Sequence, residues 1–220
     1  KVDATYAAFV EKQKKQIKNG VITLEAAQKK EANKYGAKQG GTHFKNLITG
    51  DGVRTQWSYG GAKYAWKPVV ERPVIPAGLS DVVIIPANHK FIIDVGNGLP
   101  DRGNMRVRIR ASRVSSEGDH LPTLRLHFGN QPSNDSRISS HIGKSDRTID
   151  APPGKPRFYH WDVPLTEIPR NAFRATHKLG QLPNPAEFFD LRNTSSSPVA
   201  LAIDYVEIIA PKLDQWPPQS

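Results

Sequence analysis

Two stretches in the middle of the chain alternate strictly between apolar and polar side chains. The polar side chains that alternate with apolar ones are Arg106, Arg108 and Arg110 in Asn104–Val114, and Arg125 and His127 in Thr123–Gly129. Successive side chains of a strand point to opposite faces, so each stretch is predicted to be a strand with one buried and one basic face. Ser115–Pro122 between them is rich in Ser, Gly and Asp, and we interpret it as the loop of a hairpin. The basic face of this hairpin would carry Arg106, Arg108, Arg110, Arg125 and His127.

Shorter apolar segments continue the β pattern to the end of the chain. Arg157–Val163 alternates, with Tyr159, Trp161 and Val163 on one face, and Val199–Ile209 is apolar on both faces. The latter is predicted to be a central strand covered on both sides. The other candidate strands are Val82–Ile85, Phe91–Val95, Arg137–Ile142, Arg147–Ile149 and Phe188–Arg192. Short strands separated by Gly, Pro and Asn, with no crossover helices, predict a mainly β fold, a β-sandwich rather than an α/β fold.

The N-terminal part of the chain has a helical period instead. Apolar residues recur on one face of Ala4–Lys18, and Asn19-Gly20 ends that helix. Thr23 is predicted to cap a second helix that runs through Tyr35. Two helices joined by a short turn indicate a helical hairpin, whose narrow apolar stripe we expect to pack against the β domain or against a missing part of a longer chain.

Composition divides the chain into four segments. We assign residues 1–45 to the Lys-rich helical hairpin, 46–80 to an aromatic- and Pro-rich irregular connection, 81–213 to the β-sandwich domain, and 214–220 to a Pro-rich linker to a following domain. The net charge is +10, of which residues 1–45 carry +6. A basic excess favours anionic partners, although a Lys-rich helix is more often only solvated.

Several classes of function lack their sequence signals. There is no cysteine, which excludes a disulfide, a thiol nucleophile and covalently attached haem. No run of about 18 apolar residues indicates a membrane span, and the seven histidines show no zinc-ligand spacing. Nucleic-acid binding is supported only by the high pI, because the basic and aromatic residues do not interleave as in RNA-binding modules. The start at Lys1 rather than Met favours a mature or excised piece.

From about Trp57 onward the chain resembles a family of large planctomycete-type multidomain proteins, which are built from domains of unknown function and often include a cytochrome c domain. The similar stretches are Tyr64–Pro68, Arg106–Arg113, Gly129–Ile138, Leu191–Asn193, Ile203–Glu207 and Trp216–Pro218. The resemblance implies a carbohydrate-binding-module-type jelly roll within a larger exported protein. It also implies a periplasmic or extracellular location, with haem only in another part of the parent.

The basic row is the sharpest candidate for binding chemistry. Guanidinium forks suit sulfate, carboxylate and phosphate, so an acidic polysaccharide would fit. The alternative is a solvated face, or a face covered by the N-terminal helices and paired with their acids.

A second candidate surface is aromatic. Tyrosine and tryptophan can stack on the apolar faces of sugar rings, although large aromatic side chains usually belong to the core. The aromatic candidates are Trp57, Tyr59, Tyr64, Trp66, Tyr159 and Trp161.

The carboxylates give weaker signals. Asn134, Asp135 and Asp146, together with Asp150, are candidate ligands for calcium, with turn formation as the alternative. Asp204 and Glu207 lie in an apolar strand, where each is predicted to meet an arginine. Three residues apart on one strand they should face opposite sides, so they do not form the carboxylate pair of a glycosidase, and we predict no catalytic residues.

The sequence thus favours a non-catalytic carbohydrate-binding-like module. The alternative is a structural module that packs against other domains or fragments of its parent assembly.

Overall fold

The computed structural model describes residues 4–35, 40–54, 74–78, 80–96, 98–116, 120–131, 137–172 and 187–212. The helices are α1 (Ala4–Lys18) and α2 (Leu24–Tyr35). The strands are β1 (His43–Asn46), β2 (Gly52–Arg54), β3 (Asp81–Ile85), β4 (Lys90–Gly96), β5 (Asn104–Arg113), β6 (Thr123–Asn130), β7 (Ile138–His141), β8 (Arg147–Thr148), β9 (Arg157–Pro164), β10 (Glu187–Asn193) and β11 (Leu201–Lys212).

The two helices form where their sequence signals predict. The Thr23 hydroxyl accepts a hydrogen bond from the backbone N–H of Ala26 at 3.1 Å, as an N-cap does. Gly20 takes the left-handed conformation, φ +68°, after α1. The Gln13 side chain then donates to the Ala27 carbonyl at 3.2 Å and ties α1 to α2. Neither described helix has the length and apolarity needed to cross a membrane.

The strands form a jelly-roll β-sandwich. One sheet has six strands in the order β2-β1-β3-β11-β5-β9, and the other has the order β4-β10-β6-β7, with β8 paired to β6. All the pairings are antiparallel. From β3 to β6, and again from β9 to β11, successive strands alternate between the two sheets. The resulting two four-strand sets are those of a jelly roll, so the predicted fold class is confirmed.

The predicted β5–β6 hairpin is wrong. β5 pairs with β11 and β9 in the six-stranded sheet, whereas β6 pairs with β10, β7 and β8 in the five-stranded sheet. Alternation correctly predicts two half-buried strands, but it carries no information about which strand pairs with which. A connection from Ser115 to Pro122 is longer than the two to five residues typical of hairpin loops, and it is long enough to cross between packed sheets about 10 Å apart.

The core lies between the sheets and takes the apolar side of each alternating strand. Ile109 of β5 and Leu126 and Phe128 of β6 are all 0% exposed. Phe128 meets Phe189 of β10 edge to face, with ring centroids 5.2 Å apart. The basic side chains that alternate with these core residues are thereby directed to outer surfaces of the sandwich: Arg106, Arg108, Arg110, Arg125 and His127.

β1 and β2 extend the six-stranded sheet beyond the four jelly-roll strands. Phe44 of β1 packs against the core and meets Phe91 of β4 edge to face, with ring centroids 6.0 Å apart. The first strand of the sheet therefore begins at His43, well before residue 81, where the sequence segments placed the sandwich. These strands have only four and three residues, too few for a period-2 pattern to be recognised.

Candidate functional site

The predicted basic row is divided between two opposite surfaces. Arg106, Arg108 and Arg110 lie on the outer face of the six-stranded sheet, and Arg125 and His127 lie on the outer face of the five-stranded sheet. The five residues therefore do not form one binding surface. The two groups are separated because β5 and β6 belong to different sheets with the core between them.

Each of the three β5 arginines is neutralised by a carboxylate of a neighbouring strand. The N–O distances are 2.7 Å for Arg106–Asp162, 2.7 Å for Arg108–Glu207 and 2.8 Å for Arg110–Asp204. Arg110 also donates to the carbonyls of Pro76 and Ala77. The alternative of a paired face is thus the correct one here, but its acids come from β9 and β11.

A β-bulge in β11 puts two acids on the same side. The register against β5 shifts between Ile203 and Tyr205, so Asp204 is the extra residue and both Asp204 and Glu207 face the arginines. The prediction that each acid meets an arginine is confirmed, whereas the prediction that they face opposite sides is wrong. A strict period of two cannot reveal a bulge.

An aromatic pair completes this outer face. The guanidinium of Arg108 lies 4.5 Å from the ring centroid of Phe158, and that ring meets Tyr205 edge to face. Phe158 is 41% exposed. The outer face of the six-stranded sheet is therefore a tightly paired ionic and aromatic layer rather than a set of free guanidinium groups.

The outer face of the five-stranded sheet carries a different polar group, which we call the polar face. Its members are Lys90, Arg125, His127, His141, Asp190 and Arg192. A row of register partners, Asp190–His127–His141, crosses β10, β6 and β7. The three cations flank this row with their side chains 33–49% exposed.

Ion pairs hold the polar face in place. Arg125 grips both oxygens of Asp146 at 2.8–3.2 Å, which holds the pKa of that carboxyl below its usual range. Arg192 donates to Asp190 Oδ2 at 2.7 Å and to the Ser139 hydroxyl at 2.7 Å. Lys90 approaches the same Asp190 oxygen at 3.6 Å. Three cations therefore face two carboxylates, an excess of one positive charge.

His127 is neutral at neutral pH in this setting. Burial lowers its pKa to about 4, with a further contribution from the charge of Arg192. Within the described part of the chain, neither ring nitrogen has a hydrogen-bond partner, and neither has Oδ1 of the fully buried Asp190. The centre of the polar face is thus buried from water, and its exposed groups are the surrounding cations and His141.

Asp94 of β4 is a second perturbed group on this sheet. Burial raises its pKa to about 7, against the opposing charge of Arg137. Its Oδ1 has no hydrogen-bond partner among the residues that the structure describes.

The aromatic candidates that the structure describes belong to the core. Trp161 is 1% exposed and donates its indole N–H to the Ser145 carbonyl at 3.1 Å. Tyr159 packs against the core, and its hydroxyl bonds Asp150 and the Ala151 N–H. The prediction that Trp161 stacks on sugar is therefore wrong. Trp57, Tyr59, Tyr64 and Trp66 lie outside the described residues.

The candidate calcium ligands are only partly described. Asp146 is occupied by Arg125, which competes with any cation for its oxygens. Asn134 and Asp135 lie outside the described residues, so calcium binding stays a prediction. No group of three or more His, Asp or Glu that could hold a metal is found among the residues that are described.

Sequence reasoning missed four members of the polar face: Lys90, His141, Asp190 and Arg192. Asp190 and Arg192 alternate with the buried Phe189 and Leu191, the same signal that identified β5. His141 was overlooked because β7 is short and its burial does not alternate clearly.

No protein-family model matches the chain, and no curated protein matches it. Among solved structures, Family 16 Carbohydrate Binding Module-2 is similar, with a TM-score of 0.34, 6% identity, and coverage of 60% of this chain and 79% of that chain. Another is the CBM22-1-GH10 module pair of Clostridium thermocellum N-terminal endo-1,4-β-D-xylanase 10B, complexed with xylohexaose. Its TM-score is 0.32, with 13% identity, and the match covers 66% of this chain and 22% of the xylanase chain.

The class of protein follows from the strand order itself. The chain is a jelly-roll β-sandwich with two N-terminal helices and one partly exposed polar sheet face.

Proposed function

We propose that this chain is a non-catalytic carbohydrate-binding module of a larger exported protein, and that the polar face holds an acidic polysaccharide in the periplasm or outside the cell. The observation that carries the proposal is the arrangement of Lys90, Arg125 and Arg192. They lie together on one sheet face, partly exposed, with more positive charge than Asp146 and Asp190 neutralise.

The chemistry of these groups suits a polyhydroxylated, negatively charged polymer. A guanidinium group carries five N–H donors. Arg125 donates to Asp146 from its Nε and from one terminal nitrogen, so other N–H groups remain for sugar hydroxyls or carboxylates. The ion pairs fix the side chains in advance, which reduces the entropy lost when a ligand binds.

The carboxylates support a binding role rather than hydrolysis. Asp146, Asp190, Asp204 and Glu207 are each paired with an arginine. A glycosidase needs one carboxyl group free to donate a proton and a second free to act as base or nucleophile across a cleft. Arg125 holds the pKa of the Asp146 carboxyl below its usual range, which makes this group a poor proton donor.

The proposal is tested by calorimetric titration with dextran, dextran sulfate and polygalacturonate at low and high salt. We expect the charged polymers to bind and their affinity to fall as salt rises. Arg125→Gln should weaken binding about tenfold, the value of one charge-assisted hydrogen bond. Arg157→Gln is the matched control, since it removes the same charge from another exposed arginine–aspartate pair. No heat with any polymer, or equal loss in both variants, would contradict the proposal.

A structural module is the second candidate, and the outer face of the six-stranded sheet favours it. In the Arg108–Glu207 pair the side chains are 18% and 5% exposed, and in the Arg110–Asp204 pair 7% and 6%. Such a covered ionic layer resembles a packing surface more than an open binding surface. Hydrogen exchange of this chain alone and within its parent protein tests the idea. Extra protection of β5 and β11 in the parent would support it, and identical exchange would contradict it.

A further inference from the structure

A cleft of about 230 Å³ opens at the edge of the sandwich, where the loop 143–147 passes β9. Lys144, Ser145 and Arg147 line one side, and His160 and Trp161 line the other. The buried indole of Trp161 donates to the Ser145 carbonyl and so anchors the loop. Gly143 lies so close to Trp161 that an added Cβ would be 3.0 Å from its ring. The loop side of the cleft is therefore held in place by Trp161.

Arg147 is fixed in this cleft by neutral oxygen atoms. Its Nε donates to the His160 carbonyl at 2.7 Å, and one terminal nitrogen donates to the Ser145 hydroxyl at 2.6 Å. Its guanidinium carbon lies 5.7 Å from the centroid of the Trp161 ring. These two hydrogen bonds use two of the five N–H groups of Arg147 and hold its guanidinium in one orientation. The other N–H groups can donate to a ligand.

The positive charge of the cleft is uncompensated. Many arginines of the protein have a carboxylate within ion-pair distance, namely Arg106, Arg108, Arg110, Arg125, Arg157, Arg170 and Arg192. Arg147 has no carboxylate within ion-pair distance in the described residues. Asp162 in the cleft wall is held by Arg106, and Asp146 in the loop is held by Arg125. Lys144 is exposed in the same cleft, so the cleft holds one fixed and one exposed cation without a carboxylate partner of their own among the described residues.

We propose that this cleft binds an oxyanion substituent, a sulfate ester or a carboxylate, through Lys144 and Arg147. Resting on the proposed function, the inference names the feature of the polysaccharide that the module selects. A guanidinium fork matches two oxygens of such a group, and an ammonium group adds a point charge. Asp146 connects the cleft to the polar face, because its loop forms the cleft wall while its carboxylate bonds Arg125. One chain of sugars can therefore lie on the face and place a charged substituent in the cleft.

The anion site is tested first with small probes. Amide NMR spectra are recorded while sodium sulfate or sodium acetate is added, with sodium chloride at matched ionic strength as the reference. We expect saturable shifts at Gly143–Arg147 with the oxyanions and not with chloride. Arg147→Gln should weaken sulfate binding about tenfold and Lys144→Ala about threefold, as expected for a held and an exposed charge. Lys144 is exposed and makes no contact that folding requires. The Lys144→Ala variant therefore still tests sulfate binding at the cleft if Arg147→Gln does not fold.

The control variant is Lys155→Ala. It removes the same charge from another exposed lysine, in the turn before β9 and outside the cleft. Equal weakening by Lys144→Ala and Lys155→Ala would show a general charge effect and would overturn the anion site. Sulfate shifts that do not saturate, or that occur outside the loop, would overturn it as well.

Polymer titrations separate this inference from the proposed function. Lys144→Ala should lower the affinity for dextran sulfate about threefold and leave any dextran binding unchanged. If dextran binds but sulfation adds no affinity, the cleft proposal fails while the proposed function stands. If inorganic sulfate binds at the cleft but no polymer binds, the proposed function fails and the anion site stands alone.

Discussion

Arg110 and Asp204 form a buried ion pair in which each charge is stabilised by the other. Both side chains are more than nine-tenths buried, and their nearest N and O atoms are 2.8 Å apart. Arg110→Ala leaves a buried carboxylate without its counter-charge, and we expect it to lower the free energy of unfolding by about 3–5 kcal/mol. The double change Arg110→Met with Asp204→Leu should cost much less, because it removes both charges. Urea unfolding at neutral pH measures both effects.

The control for this prediction is Arg157→Ala. The Arg157–Asp150 pair has a similar N–O distance, 2.8 Å, but its side chains are 61% and 52% exposed. Loss of this exposed pair should lower the free energy of unfolding by less than about 1 kcal/mol. Similar decreases in the free energy of unfolding for Arg110→Ala and Arg157→Ala would show that burial does not determine how much these ion pairs stabilise the fold.

Asp94 and His127 give opposite pH dependences of stability. The pKa of Asp94 is raised to about 7 by burial, so its favourable protonated form is lost as pH rises from about 4 to 7. The stability of Asp94→Asn relative to the wild type should therefore be higher at pH 8 than at pH 4. One pKa unit corresponds to about 1.4 kcal/mol, and because the side chain is half-buried we expect screening to limit the gain to about 2 kcal/mol.

His127 behaves in the other direction. Its pKa is lowered to about 4, so the unfolded chain binds a proton more readily between pH 6.5 and 4, and stability falls as pH falls through this range. His127→Gln should flatten this part of the stability curve. Thermal unfolding of both variants from pH 4 to 8 tests the two signs, and slopes of the same sign would contradict the assignment.

At the scale of elements, the pairing of β6 with β7 depends on one glycine. A Cβ at Gly129 would lie 2.1 Å from the Ile138 carbonyl and 2.7 Å from the Phe188 ring. Gly129→Ala must therefore push β7 away from β6, at a cost of about 3 kcal/mol or more, since the clash is with backbone. Hydrogen exchange should show lost protection at Ser139–His141 in particular.

Gly78→Ala is the matched control for this change. Gly78 has open space around its Cβ position and no positive φ. It should leave both the unfolding curve and the exchange of β7 unchanged. Retained protection of β7 in Gly129→Ala would mean that the strands can adjust without separating.

At the scale of the whole molecule, the sandwich should be independent of the N-terminal helices. Every described residue of the central core cluster lies between Val83 and Ile203. Deletion of residues 1–39 keeps β1 and the complete core, so we expect a single cooperative unfolding transition with a similar midpoint. Calorimetry of the shortened chain measures this. A broad transition or a lowered midpoint would show that the helices contribute to the stability of the sandwich.

The strands could be predicted because burial acts on each one locally. Observed β5 and β9 begin and end within a residue of the predicted stretches. The N-cap Thr23 was equally predictable from its side chain. The division of β5 and β6 between two sheets was not, because both strands show the same alternation and pairing depends on contacts far apart in sequence.

The sequence by itself determined which side of each long strand is apolar, and hence that the protein is a β-sandwich. Only the tertiary structure decided which charges meet. Arg108 and Glu207 are almost a hundred residues apart, and their contact depends on strand order and on the bulge at Asp204. The apolar pattern is read from neighbouring residues, whereas an ion pair between strands requires the whole sheet to be assembled. For that reason the predicted basic surface became two, and the cleft at Arg147 was not visible in the sequence.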